Sequence, residues 1–347
     1  MIMIKPLFFA TFTLVIVGGL LHLYQENFNS TGSSNSLSFG QKLLEDLDTK
    51  SLSKITIRGE ESFVSLMQLK GGGWIEESMK YEADSSQIQD LLLKLYQTNL
   101  GDLVTNNASH HKRFKLVAPP DNFEKWEKDL YGESVSLLKG DGTIILSFLI
   151  GKNRKNGQGQ YIRYNGSNKV FHIPESLNIN TKFNDWLDKK LLELEGDLVK
   201  NIKIKEVSEE KFNINRKSFK DPWVSNIDLV APDKEKIQNV LDRLSSLSFS
   251  KLLERQVISD NESNTLEKAL VVTLFDGKLF TIKIKKNNAS NENYILSLRM
   301  GVLQDTSEKK EIEEEVRKEM ESFNKKMNGR SFEINSWEGK ELLIGND

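Results

Sequence analysis

The residues best suited to acid–base or metal chemistry are few and scattered. The chain has four histidines, and only His110 and His111 are adjacent, within the polar segment NNASHHKRFK. No carboxylate stands near them at the spacing that a metal site needs. We therefore interpret this segment as a solvated loop, and the sequence predicts no metal ion and no cofactor.

Nucleophilic and hydrolytic catalysis is equally hard to place. The serines lack the contexts in which a hydroxyl is activated, such as Gly-x-Ser-x-Gly, and the chain has no cysteine. Carboxylates are plentiful, but the sequence does not place a catalytic pair of them. It therefore predicts a protein that is not an enzyme and has no catalytic residue. The alternative is a hydrolase of envelope polymers, with a groove between two similar halves of the chain.

A glycine-rich segment, GKNRKNGQG at residues 151–159, brings together Lys152, Arg154 and Lys155. Such a segment could bind phosphate, but the P-loop spacing is missing and no helix follows the lysine. We interpret it as the loop of a β-hairpin. The alternative is a contact with an anionic partner, either lipid headgroups or a cell-wall polymer. The formal net charge of −2 gives no general attraction to nucleic acid.

Residues 1–25 predict a transmembrane anchor. From residue 6 to residue 25, twenty consecutive residues carry no formal charge, enough for a helix of roughly 30 Å across a bilayer. Lys5 precedes this run and Glu26 follows it, so we expect the N-terminus in the cytoplasm and the body outside the inner membrane. A cleaved signal peptide is the alternative. Residues 26–49 begin with a Ser-, Asn- and Gly-rich stretch and predict a flexible tether.

The rest of the chain repeats one pattern. Residues 50–195 and 196–347 each alternate apolar and polar residues, as half-buried strands do, and each has an amphipathic helix. Each copy also closes on a tryptophan with a similar tail. The sequence predicts an α+β fold of two tandem repeats, each a mostly antiparallel sheet with a covering helix, after the anchor. A displacement of 149 residues relates Trp74, Ile88, Leu91, Leu92 and Leu95 to Trp223, Ile237, Val240, Leu241 and Leu244.

The second copy contains a highly charged insertion at residues 307–328. Four apolar residues recur along one side at helical spacing, which predicts a surface helix with a thin apolar stripe. We expect the stripe to pack on its own domain, and the alternative is a docking element for a protein partner. The stripe consists of Ile312, Val316, Phe323 and Met327.

Short motifs of strand, Gly-Trp turn and hairpin follow one another in the first copy: Ile55-Thr56-Ile57, Gly72-Gly73-Trp74, Leu146–Gly151-Lys152, Tyr161-Ile162-Arg163 and Val170–Ile173. In this order they resemble the bacterial domain-of-unknown-function family 4340, over about residues 50–190 and more faintly in the second copy. The resemblance implies a membrane-anchored protein, often encoded beside ABC-transporter components similar to those of gliding motility. We therefore expect a binding or scaffold subunit with a protein partner in a membrane complex.

Overall fold

The chain divides into two compact units, the first ending at Asp188 and the second running over Lys189–Asp347. The computed structural model describes residues 39–44, 50–60, 62–120, 122–155, 158–207, 209–227, 233–253, 267–287, 293–303 and 314–344. The predicted anchor at residues 1–25 and most of the predicted tether lie outside these ranges. Within them, no helix has the length and apolar character to cross a membrane.

The first unit is built on a nine-stranded sheet in which every neighbouring pair is antiparallel. The strand order is β4-β3-β2-β1-β6-β7-β8-β9-β5. A helix, α1, lies in the chain between β4 and β5. The elements are β1 (Leu52–Arg58), β2 (Phe63–Gln68), β3 (Trp74–Glu76), β4 (Tyr81–Glu82), α1 (Ser85–Gln97), β5 (Leu103–Thr105), β6 (Glu133–Lys139), β7 (Ile144–Asn153), β8 (Gln160–Tyr164) and β9 (Val170–Ile173).

The central strand β7 is apolar without alternation because both of its faces are covered. Phe148 and Ile150 join the large core beneath α1, whereas Leu149 joins a smaller cluster on the opposite face. That smaller cluster includes Phe114 and Leu116, at and just after the end of a 3-10 helix at Ala108–Phe114. A strand buried on both faces has no solvent side, so a continuous apolar run is expected.

Helix α1 follows the N-cap Asp84. The Asp84 carboxylate accepts hydrogen bonds from the backbone N–H groups of Ser86 and Gln87. Burial alone would raise the pKa of Asp84, but the hydrogen bonds from Ser86 and Gln87 outweigh it and hold the pKa below its ordinary value. The helix buries the face that carries Ile88, Leu91 and Leu95 against the sheet.

The second unit contains an eight-stranded antiparallel sheet in the order β13-β12-β11-β16-β17-β18-β19-β15, and a separate short pair of β10 with β14. Its elements are β10 (Lys190–Leu192), β11 (Val199–Glu206), β12 (Glu209–Asn215), β13 (Val224–Ser225), α2 (Lys234–Ser245), β14 (Leu247–Ser248), β15 (Lys251–Leu253), β16 (Lys268–Leu274), β17 (Lys278–Lys286), β18 (Tyr294–Val302), α3 (Glu314–Met327), β19 (Ser331–Ile334) and α4 (Ser336–Leu342).

The two sheets share one strand order. When the edge strand β4 is set aside, the strand order of the first sheet is β3-β2-β1-β6-β7-β8-β9-β5. Adding ten to each strand number gives the strand order of the second sheet. Equivalent hairpins turn at Gly142 and Gly277, whose φ angles of 85° and 86° suit glycine. The predicted α+β class with antiparallel sheets is confirmed. The interpretation of the halves as tandem copies stays a prediction, which the shared strand order supports.

The closing segments of the halves are similar in sequence but differ in local structure. Trp186 is buried at the end of a 3-10 helix, Phe183–Trp186, and leads into strand β10. Trp337 lies instead within helix α4 and is half exposed, with the Arg243 guanidinium 4.5 Å from its ring centroid. Similar residue types therefore form different local structures at the ends of the two halves.

Candidate interaction surfaces

Lys152, Arg154 and Lys155 lie at the β7–β8 connection, as expected for a hairpin loop. Lys152 is near the end of β7, and the Arg154 N–H donates a hydrogen bond to the Gly159 carbonyl oxygen at 3.0 Å. All three side chains are exposed, and none forms an ion pair with a carboxylate among the described residues. The loop therefore presents three cations to solvent.

The histidines of the first unit make isolated contacts. His110 Nδ1 lies 2.9 Å from the Thr105 hydroxyl, and the buried His111 contacts the Asn168 carbonyl oxygen through Nε2 at 3.0 Å. Across the part of the chain that the structure describes, no three His, Asp or Glu side chains gather as a metal site would require. The contacts of His110 and His111 are those of residues that hold a loop in place.

Helix α3 corresponds to the predicted insertion, and its described part begins at Glu314. Ile312 lies outside the described residues. Phe323 packs edge-to-face on the buried Phe280 with ring centroids 5.6 Å apart, Met327 is buried, and Val316 is half-buried. The apolar side of α3 thus faces its own sheet, so Phe323 and Met327 are occupied by contacts within the second unit.

A polar contact explains why the helix is held there. Strand β18 pairs with β19 over Tyr294–Leu296, and within the described ranges no strand lies beside its later residues on that side. The Asn324 side chain accepts a hydrogen bond from the Met300 N–H and donates one to the Met300 carbonyl, each at 2.9 Å. The amide of Asn324 therefore takes the place of a neighbouring strand. Covering a sheet edge in this way protects it from pairing with other chains.

A group of exposed apolar side chains around one arginine of the second unit was not predicted from the sequence. We name it the Arg216 patch: Leu198, Phe219, Trp223, Val224 and Phe275, around the buried Arg216. The four residues other than Trp223 are exposed to between 38% and 55%, and Trp223 is half-buried. A hydrogen bond of 3.0 Å from the Phe275 N–H to the Leu198 carbonyl joins two of the segments.

Arg216 holds the patch together from beneath. Its guanidinium donates to the carbonyl oxygens of Val199 at 2.9 Å, Phe219 at 3.1 Å and Gly196 at 2.5 Å. It also lies 4.5 Å from the centroid of the Trp223 ring. Burial lowers the pKa of the Arg216 guanidinium, and the charge of Asp197 opposes that shift. The hydrogen bonds of this one side chain thus join two segments of the second unit, residues 196–199 and the β12–β13 connection.

The sequence offered little sign of this patch. Its members are separated along the chain, from Leu198 to Phe275, and they meet only because β11 pairs with both β12 and β16. The available signal was the pair Phe219 and Trp223, two large aromatic residues in a short polar connection. Exposed apolar groups of this kind can mark an interaction site.

Comparison with known families identifies the chain. Residues 74–269 match the model of the family described as a domain of unknown function, DUF4340. The match covers more than half of the chain and extends from β3 of the first unit into β16 of the second. The protein belongs to this family, as the resemblance of its first copy predicted. No curated protein and no solved structure matches the chain.

Proposed function

We propose that this protein is a single-pass membrane protein whose body lies outside the cytoplasm and binds a protein partner without catalysis. The observation that carries the binding role is the Arg216 patch. Contiguous exposed apolar surface is uncommon on soluble monomers and marks interaction sites. Aromatic residues and arginine, which this patch combines, are also the residue types enriched at the centres of protein interfaces.

The membrane part of the proposal rests on the sequence. Residues 1–25 have the length and charge pattern of an anchor, and the family resemblance implies an accessory subunit beside an ABC-transporter-like complex. The partner that we propose is therefore a protein subunit of such a complex. Residues of the Arg216 patch, rather than the stripe of α3, are the proposed contact residues, because Phe323 and Met327 are already packed.

The test is co-purification of the full-length protein from detergent-solubilised membranes, followed by identification of the bound proteins. The double variant Phe219→Ser with Val224→Ser removes exposed apolar surface from the patch. Val207→Ser is the matched control, since Val207 is 80% exposed and lies at the other end of the β11–β12 pair. We expect a defined partner to be retained by the wild type and the control and lost by the double variant.

Thermal unfolding of each variant serves as the check on folding, because surface substitutions away from the core change stability little. Binding of the same proteins by the double variant would refute the role of the patch. Recovery of the wild-type protein in the soluble fraction, with residues 1–25 removed, would refute the anchor.

A further inference from the structure

The place where the N-terminal segment joins the first unit is defined by backbone contacts. Phe39 is the first described residue, and the next residue, Gly40, donates its N–H to the Leu100 carbonyl oxygen at 2.8 Å. The Leu100 N–H in turn donates to the Gln41 carbonyl oxygen at 2.7 Å. The chain therefore enters the first unit beside the segment that connects α1 to β5.

The cationic β7–β8 loop lies at this same end of the sheet. Gly101 donates its N–H to the His172 carbonyl oxygen at 2.7 Å, and His172 Nε2 lies 3.4 Å from the Gln158 carbonyl oxygen in the loop. On the other side of the loop, the Ser176 hydroxyl donates to the Asn153 side chain at 3.2 Å. A short series of contacts thus connects the entry point at Gly40 to the loop that carries Lys152, Arg154 and Lys155.

Exposed apolar side chains lie near the entry point of the chain. Phe39 is 75% exposed, Leu103 at the start of β5 is 51% exposed, and Tyr96 on α1 is 46% exposed. The Lys42 ammonium lies 3.6 Å from the centroid of the Tyr96 ring. Among the described residues, Asp102 and Glu175 are the exposed carboxylates that stand next to these contacts in the chain. We name this set of residues around Phe39 and the β7–β8 loop the entry surface.

A mixture of exposed aromatic, aliphatic and cationic side chains suits the boundary between lipid headgroups and acyl chains. Apolar side chains enter the interface, and each lysine or arginine gains attraction to anionic headgroups. The proposed anchor also keeps this surface within reach of the bilayer. Thirteen residues separate residue 25 from Phe39, and thirteen residues span at most about 45 Å.

We propose that the entry surface docks the first unit on the bilayer, with Lys152, Arg154 and Lys155 binding the phosphates of anionic lipid headgroups. This inference rests on the membrane anchoring proposed above. It gives the three cations of the β7–β8 loop a role, since a hairpin connection does not by itself require charged side chains. It also orients the first unit, because the β7–β8 loop faces the membrane and the β8–β9 connection at the opposite end of the strands faces away.

Proximity to lipid can be measured on the full-length protein in nanodiscs. Because the chain has no cysteine, Gln158→Cys and Asn168→Cys each provide a unique site for a fluorescent label. The two sites are separated by strand β8, whose five residues extend about 16 Å. With a paramagnetic headgroup quencher in discs that contain anionic lipid, we expect strong quenching at position 158 and weak quenching at position 168.

The chemistry is tested by removing charge. The triple variant Lys152→Gln, Arg154→Gln and Lys155→Gln should abolish the preferential quenching, as should discs of neutral lipid alone. Each cation contributes about fivefold to binding at an anionic surface, so the docking equilibrium should shift by roughly 100-fold. The control is a triple variant of the same charge, at three exposed cations elsewhere on the unit, Lys112→Gln, Arg113→Gln and Lys128→Gln.

Equal quenching at both labels, or equal quenching in neutral and anionic discs, would overturn the proposal. Loss of quenching on addition of inorganic phosphate at constant ionic strength would also overturn it, because the loop would then be a site for free phosphate. Failure of the anchor gives a different result, since the protein would then not elute with the discs at all.

Discussion

Replacing Arg216 by methionine removes the guanidinium and keeps an unbranched side chain of similar length. The substitution deletes three hydrogen bonds to backbone carbonyls and the contact with the Trp223 ring. It leaves the strands themselves unchanged. The variant therefore measures how much the positions of residues 196–199 and of the β12–β13 connection depend on one cation.

The magnitude follows from how buried each acceptor is. The bond from Nε to the Val199 carbonyl is fully buried, and an unpaired buried carbonyl costs about 1–3 kcal/mol. The bonds to Gly196 and Phe219 are partly buried, so water can replace much of what they contribute. Loss of the contact with Trp223 adds about 1 kcal/mol. We expect the free energy of unfolding to fall by about 3 kcal/mol in total.

Hydrogen exchange of the full-length protein, measured by mass spectrometry, reports on the stability of the second unit separately from that of the first unit. Peptides covering β11 and β12 should exchange up to about 100-fold faster where their opening requires unfolding of the second unit. Peptides from β6 and β7 should be unchanged. Arg299→Met is the matched control, because Arg299 is an exposed arginine on β18 of the same sheet. If the two variants change exchange equally, Arg216 does not organise the patch and the reasoning is wrong.

Two further predictions concern single side chains. Burial raises the pKa of Glu133, the charge of Lys115 opposes this shift, and the charge of Glu60 adds to it. Folding therefore disfavours the ionised carboxylate. The free energy of unfolding should fall as the pH rises from the ordinary pKa of a glutamate through the raised pKa of Glu133. Glu133→Gln should therefore raise the melting temperature at neutral pH and lose this advantage below pH 4.5. The control is Glu124→Gln, at an exposed glutamate, which should not show this pH dependence. An equal gain in melting temperature for Glu133→Gln at both pH values would contradict the prediction. Asn324→Ala should lower the free energy of unfolding by about 1–3 kcal/mol in chemical denaturation, because it leaves the Met300 backbone unpaired. The neighbouring exposed Lys325→Ala should have little effect, and equal effects would show that the edge of β18 does not need the amide.

Local patterns in the sequence were sufficient to predict the two helices that cover the sheets. The spacing of Ile88, Leu91 and Leu95 after an Asp N-cap predicts α1, and the buried face is the predicted one. The same holds for α2, where Asp233 caps the helix and Ile237, Val240, Leu241 and Leu244 are buried. Such features depend on neighbouring residues only, so one sequence suffices to predict them.

Features that depend on distant pairing were not predicted. Strands β5 and β15 have three residues each and no alternation, yet they pair beside β9 and β19 at the edges of their sheets. The role of Asn324 was also not predicted, because the sequence of α3 does not indicate which strand edge the helix covers. The Arg216 patch requires three loops to meet. Each case depends on the strand order, which a single sequence does not fix.

The shared strand order gives a reason to look for function where the halves differ. If the halves are copies, as the order suggests, then their common features serve the fold and their differences serve other roles. The first half has three exposed cations in its β7–β8 loop, near the point where the N-terminal segment enters. In the second half the residue after β12 is Arg216, whereas the residue after β2 in the first half is Leu69, and Trp74 is buried. The matching β17–β18 connection of the second half follows two lysines of its own, Lys285 and Lys286, so the Arg216 patch is the clearer difference between the halves. Under the two proposals above, the first unit contacts the membrane and the second binds the protein partner. The two sets of variants should then affect these two contacts separately.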